Sequence, residues 1–331
     1  MRIAINGFGR IGRSVLRAYF EREKRNFEIV AVNDLMPLDA SVHLLKYDSI
    51  YGRFSPEVRI ADESSFVVQR EKIKYFSEKK PLTLPWRQLG VDLVLECSGV
   101  IKTRKACEDH LTAGARKVLL SCPAEDADKT VVYGVNSDDI DVTKDVIISN
   151  ASCTTNCTAP LVKIILEKVD IVSGFINTVH SYTADQRLMD SGHKDLRRAR
   201  AALQNIIPTS TGVSKAIEQI FPHLRHKLFG LSLRVPTPDV SLVDFTFSTN
   251  HEISAQDLNL AIIKSADENM KGIVGYSHEP LTSSDFIKNP LSAIVEANLT
   301  ESSGRLARII AWYDNEWGFS NRMLDVASIM F

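Results

Sequence analysis

The segment Asn6-Gly7-Phe8-Gly9-Arg10-Ile11-Gly12 constrains the fold of this chain more than any other. It matches G-x-G-x-x-G at Gly7, Gly9 and Gly12. Arg2-Ile3-Ala4-Ile5 before it reads as a strand, and Ile11, Val15, Leu16 and Tyr19 after it lie on one face of a helix. Gly7 permits a tight turn, Gly9 lets a pyrophosphate approach the backbone, and Gly12 lets helix and strand pack closely. The helix N-terminus then offers unpaired N–H groups to the pyrophosphate. A second strand, Glu28 to Val32, ends at Asn33-Asp34, and Asp34 lies 34 − 12 = 22 positions past the last glycine. A carboxylate there accepts from ribose hydroxyls and repels a ribose phosphate, which favours NAD over NADP. Ahead of Met36-Pro37 a turn or cap role is the plainer reading of Asp34, but its register with the glycines favours the dinucleotide.

Strand and helix patterns alternate through the first half. Phe66–Val68 and Ile73–Phe76 read as a small hairpin insert turning at Arg70-Glu71-Lys72. Strands follow at Val91–Glu96, Lys117–Ser121, Thr130–Tyr133 and Val146–Ile148, with a helix over Thr103–Leu111. This predicts a Rossmann-type doubly wound parallel sheet, with ligands at the carboxyl ends of its strands. Ser98, Gly99 and Ser121 are therefore candidates to line a cofactor cleft. In the second half, Ile171–His180, Leu231–Val235, Val240–Phe247, Ala293–Leu299 and Leu306–Tyr313 read as strands with few helices between them. That predicts an α+β domain with a mostly antiparallel sheet and helices on one face, an α/β chain overall. The expected division is a nucleotide-binding domain over 1–150 and a catalytic domain over 151–316, with the terminal helix, 317–331, packing back on the first.

Ser149-Asn150-Ala151-Ser152-Cys153-Thr154-Thr155-Asn156-Cys157 lies between a short apolar strand and the helical spacing of Leu161, Ile164, Ile165 and Val169. Cys153 is thus expected where a strand ends and a helix begins, with Ser152 or Asn150 as cap. The positive end of a helix dipole stabilises a thiolate. The plainer reading is a small buried hydrophobe. His180 ends a strand of the second domain and is expected to meet Cys153, as an imidazolium beside a thiolate. Between His180 and Thr209 runs a long polar loop carrying Arg187, His193, Lys194, Arg197, Arg198 and Arg200, and loops of this length are usually functional. Pro208-Thr209-Ser210-Thr211-Gly212 leads into a helix, a seat suited to phosphate. His43, His110, His223, His226, His251 and His278 read as core or surface residues.

Together these motifs, with His193-Lys194-Asp195-Leu196-Arg197-Arg198-Ala199-Arg200 and Trp312-Tyr313-Asp314-Asn315-Glu316-Trp317-Gly318-Phe319, resemble the phosphorylating NAD-dependent glyceraldehyde-3-phosphate dehydrogenases from residue 1 to about 325. The resemblance implies oxidation of glyceraldehyde 3-phosphate with NAD and inorganic phosphate through a cysteine thioester. It implies Cys153 as nucleophile and His180 as base. Thr183 and Arg234 would hold the substrate phosphate, while Ser152, Thr154, Thr211 and Gly212 would hold inorganic phosphate, with Arg198 reaching toward both. Arg10, Ile11, Asp34, Ser121 and Asn315 would contact the cofactor, Asn315 at the carboxamide. The family is a homotetramer. Three departures stand out: Ser191-Gly192 where NAD-specific members carry Leu-Pro, Lys79 where many have arginine near the adenine, and Ala184 in place of a common asparagine. Erythrose-4-phosphate dehydrogenase is the alternative within the same architecture.

Net charge is −1, so no bulk field draws the chain to nucleic acid or membrane. No secretory signal or membrane helix is expected. Five cysteines without scaffold spacing suit a reducing cytoplasm, and the four-residue step from Cys153 to Cys157 fits no zinc knuckle, so no metal is expected. The rival from another class is a dinucleotide-binding redox sensor or RNA-binding regulator with Cys153 as a peroxide target; the balanced charge and the absence of a basic-aromatic pattern argue against an RNA-only role.

Overall fold

A computed structural model describes residues 1–331. They form two compact units: Met1–Val132 with Asn136–Ala151 and Ser320–Phe331, and Tyr133–Val135 with Ser152–Phe319.

In the first unit, β1 (Arg2–Asn6), α1 (Arg10–Glu21), β2 (Glu28–Asn33) and α2 (Leu38–Lys46) are followed by a short hairpin of β3 (Tyr47–Asp48) and β4 (Gly52–Arg53). Then come β5 (Val58–Asp62), β6 (Ser65–Val68), β7 (Glu71–Phe76), α3 (Trp86–Leu89), β8 (Leu93–Glu96), α4 (Arg104–Thr112), β9 (Lys117–Leu120), β10 (Lys129–Thr130) and β11 (Ile147–Ser149). The strands make one nine-stranded sheet in the order β10-β11-β9-β8-β1-β2-β7-β6-β5. From β10 to β7 every pairing is parallel. Ile3, Ala4, Ile5, Val94, Leu95, Val118 and Leu119 are fully buried, as a parallel sheet covered on both faces requires. From β1 the chain moves outward to β2 and later returns to the other side at β8, so the strand order reverses at β1. In open α/β sheets ligands bind beside such a reversal.

The hairpin insert is three-stranded and continues this sheet. β5 adds to β6 and β7, and the turn falls at Gln69-Arg70, with Gln69 at φ 55°. The expected strand at Thr130–Tyr133 is confined to Lys129–Thr130. The C-terminal segment belongs to the first unit through Lys117 Nζ, which donates to the Met330 carbonyl at 2.6 Å, and through the Arg22–Asp325 ion pair.

The second unit comprises α5 (Cys153–Leu166), β12 (Ile171–Ser181), β13 (Ile207–Thr209), α6 (Val213–Ile220), β14 (Leu228–Val235), β15 (Ser241–Thr249), α7 (Ala255–Asp267), β16 (Val274–Ser277), β17 (Ala293–Glu296), β18 (Glu301–Ser303), β19 (Leu306–Tyr313) and the start of α8 (Trp317–Ile329). Its sheet runs β13-β14-β12-β15-β19-β17-β16, with β18 on β19. Most pairings are antiparallel, but β12 with β14 and β16 with β17 are parallel. The strands either side of the Pro236–Asp239 turn therefore do not form a hairpin; β12 lies between them. Along β15 burial alternates, the mark of a sheet buried on one face.

Candidate active site

The cleft of the first unit lies at the carboxyl ends of β1, β2 and β8. Gly7 has φ +89°, and a Cβ there would sit 2.3 Å from the Ser98 Cα. A Cβ on Gly12 would sit 2.1 Å from the Gly7 carbonyl oxygen. These two positions admit only glycine, whereas Gly9 faces open space, the approach a pyrophosphate would use. Gly9 is the N-cap of α1 and supplies no capping side chain, so the amides of the first helical turn remain for a ligand. Asp34 accepts from the Phe8 and Met36 amides, so its carboxylate is held against the loop. A cavity of about 540 Å³ opens here between Gly7, Gly9, Asp34, Lys79 and Ser98. These residues fit a dinucleotide. Ile11 and Gly12 sit in α1 and Ser121 just past β9. Gly99 adopts φ +71° beside Ser98. Arg10 is paired with Asp48 and lies over the Tyr51 ring.

In the second unit α5 begins at Cys153. Ser152 caps it, its Oγ accepting from Thr155 N–H at 3.1 Å. The chain enters through Ala151 at φ 56°, a left-handed conformation costly for a residue with a Cβ. This turn brings Cys153 Sγ to 3.4 Å from His180 Nε2. His180 lies near the end of β12, two residues beyond Thr178, so both point to the same buried face. Tyr313, near the end of β19, joins them: its hydroxyl is 2.8 Å from Thr178 Oγ1 and 3.0 Å from Thr154 Oγ1, and its ring meets His180 edge-on. Arg234, opposite His180 in the β12–β14 register, places Nη1 2.8 Å from His180 Nδ1 and 3.0 Å from the Ser181 carbonyl.

The charge state differs from the expected imidazolium–thiolate pair. Burial and then the Arg234 cation push His180 down to about 3, so the imidazole is neutral at neutral pH. Burial raises the Cys153 thiol, against the opposing pull of Arg234 and of hydrogen bonds from Thr154.

The residues expected to bind phosphate lie on the same unit. Thr183 opens the turn after β12, its carbonyl accepting from the Gln186 amide. Arg198 donates to Asp185 at 2.5 Å and to Thr209 Oγ1 at 2.9 Å, so an incoming anion competes with a carboxylate already there. Arg198 also contributes to lowering His180. Thr211 Oγ1 accepts from Val213 N–H, and Gly212 is the N-cap of α6. Ser152 Oγ is occupied in its cap and Thr154 Oγ1 turns inward to Tyr313. Asn315 is buried, with Oδ1 accepting from Ser241 and Ser181 hydroxyls, which leaves its NH2 as the end for a partner.

Known families match both units. The glyceraldehyde 3-phosphate dehydrogenase NAD binding domain matches residues 1–104, and the C-terminal domain of the same enzyme matches residues 152–315. The chain is 48% identical over 331 residues to glyceraldehyde-3-phosphate dehydrogenase from Xanthobacter flavus, covering 100% of this chain and 98% of that one. It is 48% identical to the enzyme of that name from Zymomonas mobilis, covering 100% and 98%, and 47% identical to that from Priestia megaterium, covering 99% and 97%. The chain belongs to the glyceraldehyde-3-phosphate dehydrogenase family.

Several members of this dehydrogenase's thiol pocket escaped the sequence reading. Thr178 was legible as the residue two before His180 on a strand, hence on the same face. Tyr313 lies within the quoted Trp312–Phe319 motif, but nothing local says that its hydroxyl reaches Thr154, far away in sequence. Ser241 orients Asn315 across the sheet and carries no sequence signal.

Proposed function

We propose that the protein oxidises glyceraldehyde 3-phosphate to 1,3-bisphosphoglycerate, using NAD and inorganic phosphate. The observation that carries this reading is the approach of Cys153 Sγ to His180 Nε2 at the head of α5. Cys153 is the nucleophile: His180 takes its thiol proton as sulfur adds to the aldehyde carbon and returns that proton to the new oxyanion, giving a thiohemiacetal. The amides of the first turn of α5 stabilise charge developing there. NAD, when bound, supplies the acceptor for the hydride that leaves this carbon. His180 takes the hydroxyl proton as the carbonyl re-forms. The resulting thioester is a better acyl donor than a serine ester, which is why sulfur stands at 153. Inorganic phosphate attacks the thioester, the C–S bond breaks, and Cys153 is regenerated.

Arg234 and Thr183 hold the substrate's own phosphate in this reading. Arg198, Thr211, Gly212, Ser152 and Thr154 hold inorganic phosphate. A phosphate beside Arg234 neutralises the charge that depresses His180, so the base strengthens once substrate is seated. Asn315 holds the carboxamide, and Gly7, Gly9, Arg10, Ile11, Gly12, Asp34, Lys79, Ser98, Gly99 and Ser121 hold the rest of the cofactor. The names of the relatives favour this substrate over erythrose 4-phosphate. NADH formation from glyceraldehyde 3-phosphate, with and without phosphate and repeated with NADP, tests the reading. No phosphate-dependent NADH would end it.

The protein acts in the cytoplasm, as a homotetramer and without nucleic-acid or membrane partners. No helix is long and apolar enough to cross a membrane. Phe175 of β12 and Phe229 of β14 pack together on one exposed sheet face, their centroids 5.6 Å apart, with Val172, Val179 and Leu231 also exposed on those strands. An apolar face of this kind supports self-association. Sedimentation at micromolar concentration checks it; a monomer would remove the tetramer.

A further inference from the structure

Three adjacent strands of the first unit end on polar residues bonded to one another: Asn6 on β1, Asn33 on β2 and Glu96 on β8. Asn6 pairs in register with Asn33 on one side and Glu96 on the other. All three are buried, Glu96 to 1% exposure. The direction of every bond among them can be worked out from the ends inward. The Glu78 amide donates to Asn33 Oδ1 and the Glu78 carbonyl accepts from Asn33 Nδ2, which sets the Asn33 amide, since backbone groups cannot exchange roles. Asn33 Nδ2 then donates to Asn6 Oδ1 at 2.7 Å, so Asn6 Nδ2 faces Glu96 Oε2, at 2.6 Å, as a donor. From the other side, the Trp86 indole N–H can only donate, and it meets His110 Nδ1 at 3.0 Å. His110 therefore carries its hydrogen on Nε2 and donates to Glu96 Oε2 at 3.1 Å. The Ser98 amide donates to Glu96 Oε1 at 2.8 Å, and the Ser98 hydroxyl reaches the same oxygen.

Both carboxyl oxygens of Glu96 thus have N–H donors fixed in place by groups that cannot reverse. A glutamine there would set its NH2 against one of them, whichever way the amide turned. We propose that Glu96 is a positioning residue for the dinucleotide: one carboxylate ties together the three strand ends that form the cleft. Through Ser98 it holds the backbone against which Gly7 packs, through Asn6 it holds the residue that enters the glycine turn, and through Asn33 the residue that precedes Asp34. The cavity is lined by Asn6, Gly7, Asn33, Asp34 and Ser98, so their placement is the placement of the cofactor site. This rests on the NAD reading above.

Calorimetric titration of NAD, beside steady-state kinetics, tests the proposal. Unaltered protein that bound no NAD would overturn the functional reading itself. If it binds, Glu96→Gln should raise the NAD dissociation constant about tenfold or more, as expected when buried donors lose their acceptor. Its KM for NAD should rise in step, while KM for the aldehyde and kcat at saturating NAD stay within about twofold. His110 separates positioning from mere packing and carries the test should the Glu96→Gln variant not fold. His110→Gln, which can donate to Glu96 and accept from Trp86, should bind NAD within about twofold of the parent; His110→Leu should bind about threefold or more weakly. A Glu96→Gln or His110→Leu protein with a lowered melting temperature and unchanged NAD affinity would overturn the proposal.

Discussion

His110 and His180 are both buried histidines, and their surroundings differ in one respect. Around His110 every partner agrees on one tautomer: Trp86 donates to Nδ1 and Glu96 accepts from Nε2. Around His180 the partners disagree. Nδ1 lies 2.8 Å from the Ser181 carbonyl, which can only accept, and 2.8 Å from Arg234 Nη1, which can only donate. The same contrast separates two buried acids. Glu96 has its acceptors matched, whereas Asp239 is buried facing the acids Asp314 and Glu316. A ring that only braces a cleft needs one protonation state. A ring that takes a proton and returns it needs two within reach; burial and Arg234 hold His180 neutral, and an anion beside Arg234 would bring the protonated form closer.

The largest effect expected is from Cys153→Ser, which should lower dehydrogenase turnover by at least about 10,000-fold. NAD affinity by calorimetry should be unchanged; a large loss of it would mean that the two regions are not functionally separable. His180→Asn comes next, slowing the acylation burst by about 100- to 10,000-fold. An unaltered burst would take His180 out of its assigned role and erase the contrast with His110. Arg234→Ala should raise KM for the aldehyde by about tenfold or more, as expected for a lost charged hydrogen bond. It also removes the cation that depresses His180, so the acid limb of the acylation profile should move upward from near 3 toward the ordinary histidine range. A limb that stayed in place would mean burial alone sets the base.

The last effect is on stability rather than turnover and concerns Asp239. Burial and then Asp314 and Glu316 push its carboxyl up to about 9, so the folded state holds a proton that the unfolded state releases near 4. Stability from this group is present at low pH and is lost as pH rises from about 4 to about 9, with a slope of up to about 1.4 kcal/mol per pH unit. Asp239→Asn should flatten that fall, and the variant should melt above the parent at about pH 8. Parallel denaturation curves for the two proteins at about pH 5 and about pH 8 would show that Asp239 stays charged.

The glycine turn was legible because one contiguous segment encodes it: Gly7 and Gly12 stand where a side chain would clash, and Asp34 follows at a set distance. The cap at Ser152 was legible for the same local reason. The third strand of the insert, Val58–Asp62, was missed because it is short and four of its five residues are exposed, Ile60 among them. The position of β12 between β14 and β15 depends on pairings across long separations, which no local pattern records. The charge state of the thiol pocket was misread for a related reason. Spacing puts Cys153 at a helix start, but burial and the approach of Arg234 exist only once the sheet has formed.

β12 is hydrogen-bonded along nearly its whole length to a neighbour on each side. Such an interior strand has no free edge from which to fray, so its amides exchange with solvent only when the whole sheet opens. The imidazole at 180 sits near the carboxyl end of this strand, paired with Arg234 of β14 and one residue past the last pairing with β15, Val179 with Leu242. Heat or denaturant should therefore silence this enzyme by melting a domain at once, with no long-lived species that keeps its shape but has lost the placement of His180.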